Sequence, residues 1–180
     1  MYNNEWEDKR LGKLLFSLPD AVRLTGLGRR RINYWISVGF IRSVKKQKGA
    51  VVRHYFDFSG LLALRVAAKL LNAEVSLNTL KKIIEIIQRE AKNGEFPDDA
   101  VIKIPTQSKK QPVEIISVKT VIDALEDEYI LFSLFKTREE LIKEILELQK
   151  QIEKKRKEII KISEELKEKF EKEKQEKITV

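Results

Sequence analysis

The chain has 180 residues and a formal net charge of +8; 42% of its residues are hydrophobic and 36% are charged. Cysteine is absent and His54 is the only histidine, which excludes disulfides, cysteine nucleophiles, multi-histidine metal sites and histidine-based catalytic triads. No apolar run approaches the roughly 20 residues of a membrane-spanning helix, and the N-terminus lacks a signal-peptide core. We therefore expect a cytoplasmic protein without a membrane partner, metal or cofactor.

Two short helices joined by a glycine turn are predicted near the N-terminus. Residues 1–13 are polar and form a lead-in to a domain predicted over residues 14–92. Pro19 suits the first position of a helix, and Gly26 ends that helix because glycine enters the left-handed backbone region at little cost. A second helix is predicted over about residues 29–38. This layout is typical of a helix-turn-helix, whose second helix enters the major groove of DNA.

The second predicted helix separates apolar from polar side chains. At 100° per residue, Ile32, Trp35 and Ile36 share one face, and the opposite face is polar. Arginines at a helix start oppose the helix dipole, so stability alone does not favour them there. Arginine, asparagine and tyrosine side chains can bind phosphates or base edges. The DNA-binding candidates on this helix are Arg29, Arg30, Arg31, Asn33 and Tyr34, and the last four are expected to approach base edges.

A basic hairpin is predicted after this helix. Two β-prone runs flank a glycine-containing tip within residues 42–55, as in the wing of a winged helix. Between Asp20 and Asp57 the chain carries nine basic residues and no acidic residue. Because the whole chain carries +8, the remaining residues sum to −1, so the positive charge belongs to this module, as expected of a phosphate-binding surface. The candidates here are Arg42, Lys45, Lys46, Lys48, Arg53 and Tyr55.

The order and spacing of several segments resemble the DNA-binding domain of MerR-like transcription regulators. These segments are LPDAVRLTGL at 18–27, YW at 34–35, GFI at 39–41 and RHYFDFSGLLALR at 53–65. The resemblance extends over roughly residues 18–88. It implies a homodimeric regulator whose second helix sits in the major groove and whose wing touches the flanking backbone. Three positions depart from the family's pattern, so its base contacts are not carried over; they are Arg31, Asn33 and Ile36.

Two further helices and a small β-containing module are predicted next. A helix over residues 58–71 is apolar nearly all round, and Ser76 caps another helix with apolar positions at Leu77, Leu80, Ile83, Ile84 and Ile87. The segment 93–135 is predicted as a middle module, with strands at 100–104 and 113–118, a short helix at 119–126 and a strand or apolar patch at 129–135. No convergent set of polar residues marks a ligand pocket. We do not expect a small-molecule effector, although the sequence leaves that possibility open.

The last segment, residues 136–180, is predicted to be a coiled-coil dimerisation helix. Apolar residues recur four and three positions apart, interrupted by Lys155, which is the spacing of a heptad seam. Residues 136–177 include fourteen basic and twelve acidic residues, so this helix is not a basic DNA-binding arm. The alternative is an isolated helix held by i,i+4 ion pairs, and the orientation of a pair is open. The seam residues are Leu141, Ile145, Leu148, Ile152, Ile159, Ile162 and Leu166.

Together these patterns predict a mainly α-helical protein with small β elements: a MerR-like winged helix-turn-helix domain, a short β-containing middle segment and a long C-terminal coiled-coil helix. We expect a homodimer that binds double-stranded DNA sequence-specifically as a transcription regulator associated with the nucleoid. The alternative is a structural protein that anchors a coiled coil to the chromosome. An enzyme is not expected, since a nuclease would need clustered carboxylates, and the module between Asp20 and Asp57 contains none.

Overall fold

The computed structural model describes residues 14–48, 50–73, 75–93, 99–105, 113–117 and 129–178. The predicted lead-in at 1–13 and the short helix predicted at 119–126 lie outside these residues. In chain order the elements are β1 (Phe16–Ser17), α1 (Leu18–Thr25), α2 (Arg29–Ser37), β2 (Val44–Lys48), β3 (Val51–Phe56), α3 (Phe58–Leu71), α4 (Leu77–Asn93), β4 (Ala100–Pro105), β5 (Glu114–Ser117), β6 (Tyr129–Ser133) and α5 (Leu134–Ile178). The chain divides into two compact units, residues 1–141 and 142–180. The order of helices and short strands confirms the predicted fold class, which is mainly α-helical with small β elements.

Helix α1 begins at Leu18, one residue before the predicted start at Pro19, and it ends at Gly26 as predicted. Ser17 is its N-cap, and a capping box forms because the Ser17 backbone N–H donates to Asp20 Oδ2 at 2.9 Å and the Asp20 N–H donates to Ser17 Oγ at 3.4 Å. Gly26 ends the helix in the left-handed conformation, with φ at 73°, and its N–H donates to the Val22 carbonyl. The helix-turn-helix prediction is thus confirmed at the turn.

Helix α2 is held by two buried side chains on one face. Ile32 is 0% exposed and Trp35 is 4% exposed, whereas Ile36 is only half-buried. The helix ends at Ser37, and the N–H groups of Phe40 and Ile41 both donate to the Trp35 carbonyl. The predicted apolar face is therefore confirmed. Trp35 holds α2 through its buried side chain and holds the residues after α2 through its backbone carbonyl.

The two glycines of the turn are expected to respond to serine with opposite signs. Gly26→Ser forces a side chain into the left-handed region, which costs about 1–2 kcal/mol. Gly28 is the N-cap of α2 with φ at −63°, and the position of an added Cβ has nothing within 4 Å. Gly28→Ser supplies a capping hydroxyl and is expected to stabilise α2 by a few tenths to about 1 kcal/mol. Chemical denaturation of both variants tests this, and a loss of stability in Gly28→Ser would contradict it.

The predicted wing is a three-stranded antiparallel sheet with the order β1-β3-β2. Strands β2 and β3 form the predicted hairpin, with Val44 opposite Tyr55 and Lys48 opposite Val51. Strand β1 was not predicted; it pairs with β3 and places Phe16 opposite Phe56. Two residues are too few to show the alternation that marks a strand, and this pairing depends on a partner forty positions further along the chain.

Helices α3 and α4 pack together and form the core beneath the wing. The predicted bounds of α3 are confirmed, and the Asp57 carboxylate caps it by accepting from the Gly60 N–H at 2.8 Å. Ser76 caps α4, since its Oγ accepts from the Thr79 N–H at 3.2 Å. Leu77 is 61% exposed, so its predicted place on the apolar face of α4 is wrong. It is the first residue of α4, ahead of the turn that contributes the buried side chains Leu80, Ile83, Ile84 and Ile87.

The middle module contains a second antiparallel sheet with the order β5-β4-β6. Its strands confirm those predicted at 100–104 and 113–118, and the central strand β4 buries Ala100, Ile102 and Ile104. The apolar run at 129–135 is divided, because β6 ends at Ser133 and α5 begins at Leu134. Ser133 Oγ accepts from the Lys136 N–H at 3.2 Å, an N-cap that starts α5 two residues before the predicted boundary.

Helix α5 is continuous over 45 residues. Leu141 and Ile145 are already buried in the single chain, at 0% and 1% exposure. Leu148 is half-buried, and the seam residues from Ile152 onward are exposed; Ile159 is 65% exposed and Ile162 is 55% exposed. The seam therefore divides into a buried beginning and an exposed remainder. Within the described part of the chain, no helix is both long and apolar enough to cross a membrane.

Candidate nucleic-acid interface

The outward face of α2 is polar and open. The five residues predicted to bind DNA from this helix are all exposed, and the Tyr34 side chain is 63% exposed. Ser37 Oγ donates to the Tyr34 carbonyl at 2.8 Å near the end of the helix. Because Ile32 and Trp35 fix the opposite face in the core, α2 presents these polar groups on a rigid support.

The strand register places the wing's predicted residues on two faces. Lys46 lies directly opposite Arg53, and residues that oppose each other share one face of the sheet. Lys46 Nζ also lies 5.3 Å from the centre of the Tyr55 ring, a cation–π contact. Like charges directly opposite each other destabilise a hairpin, so this face favours an anionic partner. Both cations are exposed, and Tyr55 is half-buried.

The other face of the wing carries Lys45 and His54, which are also directly opposite each other. A hydrogen bond of 2.8 Å joins His54 Nδ1 and Ser43 Oγ. This contact holds the imidazole at the base of the hairpin. Sequence reasoning did not select Ser43 or His54. His54 lies between the candidates Arg53 and Tyr55 in β3, and the alternation of side chains along a strand is the signal that could have placed it on the other face of the wing.

An open cleft of about 1290 Å³ lies between α2 and the wing. None of the described residues that line it is acidic, so no carboxylate offsets its positive charge. The apolar side chains of Val51 and Val52 also line the cleft, a contribution that the charge count did not reveal. The predicted residues that the cleft brings together are Arg29, Asn33, Arg42, Lys45, Arg53 and Tyr55.

Several predicted residues lie elsewhere. Arg30 and Tyr34 are on the outward stripe of α2, and Lys46 is on the wing, all outside the lining of the cleft. Arg31 lines a different concavity, beside the turn between α1 and α2. The side chain of Lys48 lies outside the described part of the structure. The structure thus separates residues that the sequence placed in one group.

Helix α3 connects the end of α1 with the first turns of α5. Arg65 Nη1 donates to the Leu24 carbonyl at 2.5 Å, and one turn later Lys69 Nζ lies 2.5 Å from Glu140 Oε2. The hydrogen bond from Lys69 lowers the pKa of Glu140 below its usual value; burial opposes this shift, and the charges of Lys69, Lys136 and Arg65 add to it. These contacts fix the position of the helix-turn-helix on its support.

Comparison with known proteins identifies the domain. A family described as MerR HTH family regulatory protein matches residues 16–86, about two-fifths of the chain. The match begins at β1, includes α1, α2, the wing and α3, and ends within α4. No curated protein matches the chain. Within the described residues, no group of three or more His, Cys, Asp or Glu side chains could hold a metal ion. Residues 16–86 therefore form a helix-turn-helix domain like that of the MerR HTH family regulatory proteins.

Proposed function

We propose that this protein binds double-stranded DNA sequence-specifically as a homodimer and regulates transcription. The observation that supports this most directly is the clustering of exposed cations on α2 and the wing, around a cleft whose described lining contains no acid. A polyanion with a regular groove suits a surface that combines a protruding helix with a basic hairpin. The match to a regulatory family favours transcription over other uses of DNA binding.

Different residues take different tasks in this proposal. Arg30, Asn33 and Tyr34 approach base edges in the major groove, since they lie on the outward face of α2. The cations of the cleft and the wing bind backbone phosphates, which position the protein without reading sequence. These phosphate contacts are Arg29, Arg42, Lys45, Lys46, Lys48 and Arg53, with Tyr55 supporting Lys46.

The proposed homodimer forms through the exposed part of the α5 seam. In the described part of the single chain, every side chain from 151 to 171 of this 45-residue helix is exposed, including Ile and Leu at heptad spacing. Leu141 and Ile145 are already buried, so the partner's contacts start beyond them. A two-fold dimer presents two α2 helices, which makes a pseudo-palindromic site the expected target.

In the proposed domain organisation, residues 14–92 read DNA and residues 93–133 form the middle module. Dimerisation is assigned to α5, which starts at Leu134, two residues before the predicted start at 136. The protein acts at the chromosome, in association with the nucleoid, and carries no enzymatic activity.

Genome-wide binding of the purified full-length protein to fragmented source DNA tests the proposal. We expect a few promoter-proximal fragments that share an inverted repeat and remain bound at the higher of two salt concentrations, because base contacts persist when phosphate contacts weaken. A Tyr34→Ala variant should lose this selection and retain the salt-sensitive binding. Dispersed binding away from promoters that disappears with salt would instead support a structural, chromosome-anchoring protein.

A further inference from the structure

Helix α2 has two flanks, and an arginine lies on each. Arg29 and Arg31 are two residues apart, which separates them by about 200° around a helix with 3.6 residues per turn. Arg29 lines the cleft next to the wing. Arg31 lines a separate concavity of about 270 Å³ on the other flank, formed by the α1–α2 turn and the last turns of α3. The two side chains therefore face different surroundings.

The concavity beside Arg31 is cationic. Arg65 and Lys69 of α3 line it together with Arg31, and none of its described lining residues is acidic. Arg65 is held by its hydrogen bond to the Leu24 carbonyl, and Lys69 is held by Glu140. Arg31 is exposed, and its side chain makes no ion pair or hydrogen bond within the described part of the chain. Nothing in that part of the fold therefore requires an arginine at position 31.

The dimensions of the DNA major groove indicate that the Arg31 flank of α2 lies near a phosphate backbone. The major groove is about 12 Å wide, and a helix with its side chains is about 10–12 Å across. A helix that enters the groove therefore brings its two flanks near the two phosphate backbones that border it. The wing and its cleft occupy the Arg29 flank. We propose that Arg31, supported by the charge of Arg65, binds a backbone phosphate on the opposite side of the groove.

This assignment rests on the proposed entry of α2 into the major groove and changes the expected role of one residue. Arg31 becomes a contact that positions the helix between two backbones, and base reading is left to the outward stripe with Arg30 and Tyr34. A phosphate contact needs a positive charge at the right distance, whereas bidentate reading of guanine needs the guanidinium fork. Lysine should therefore replace arginine at position 31 with little loss.

The test compares Arg31→Gln and Arg31→Lys in the full-length protein. Binding to a random 30-base-pair duplex is measured from low to moderate salt. For Arg31→Gln we expect the slope of log K against log salt to decrease in magnitude by about 1 per protomer bound, with several-fold weaker binding at low salt. Arg31→Lys should keep the wild-type slope. An unchanged slope in Arg31→Gln would overturn the proposal.

A second measurement uses the selected site and a set of duplexes with single base-pair changes. Arg31→Gln should weaken binding to all of them by the same factor, whereas the control Arg30→Gln should relax the preference at one position in each half-site. Relaxed preference at one position in Arg31→Gln would show that Arg31 reads a base. If the wild type selects no site, the proposed function fails, while the slope on random DNA still tests the contact at Arg31.

Discussion

Replacing Trp35 by alanine should lower the free energy of unfolding of the helix-turn-helix domain by about 3–5 kcal/mol. The indole is 4% exposed, and its ring centre lies 4.8 Å from that of Phe40 at a 32° angle. Its loss leaves a cavity under α2 and removes the packing that accompanies the hydrogen bonds of Phe40 and Ile41 to the Trp35 carbonyl. Denaturant titration of the full-length protein, followed by circular dichroism, measures the change.

The neighbouring residue supplies a matched control. Tyr34 is also aromatic and lies in the same helix, but it is 63% exposed. Tyr34→Ala should change the free energy of unfolding by no more than about 0.5 kcal/mol, while it weakens binding to the selected DNA site. Equal destabilisation by the two substitutions would contradict the assignment of Trp35 to the core and Tyr34 to the interface.

The helix-turn-helix was predictable because its signals are local. Gly26 ends α1 through its own backbone conformation, and Ser17 and Asp20 cap α1 across a single turn. The 3.6-residue period separated Ile32 and Trp35 from the polar face without knowledge of any tertiary contact. Charge composition then located the candidate interface, since nine cations without an acid are visible in the sequence alone.

The features of the fold and the interface that were not predicted depend on contacts between residues that are distant in the sequence. Strand β1 exists only by pairing with β3, and Phe16 meets Phe56 across forty residues. The sequence placed Arg31 next to Arg30, yet the structure gives Arg31 a different environment because α3 lies on that flank. Similarly, Ile145 and Ile159 lie fourteen residues apart and occupy equivalent heptad positions, but only Ile145 is buried in the single chain. A periodic pattern identifies an apolar face and does not identify what covers it.

The second large effect is expected on dimerisation, for the substitution Ile159→Asp in the exposed part of the α5 seam. Ile159 is 65% exposed in the single chain, so its replacement should leave the fold of one protomer intact. In the proposed dimer it lies in the seam, where two buried, unpaired carboxylates per dimer oppose association. We expect the dimer dissociation constant to rise at least about 100-fold, about 2.7 kcal/mol, as measured by sedimentation equilibrium.

Ile160→Asp is the matched control, because it makes the same chemical change one residue further along the same helix. Ile160 is 56% exposed but lies off the heptad seam, so its carboxylate stays in water in the proposed dimer. The two substitutions carry the same change in helix propensity, which leaves seam position as the main difference between them. The dimer dissociation constant should change by no more than about threefold in Ile160→Asp, which is under about 1 kcal/mol.

Binding to an inverted repeat should weaken sharply in Ile159→Asp, while binding to an isolated half-site stays near that of the wild type. The reason is that only the linkage between the two α2 helices of the dimer is lost. Equal dissociation of both variants, or of neither, would show that the protomers associate through another surface.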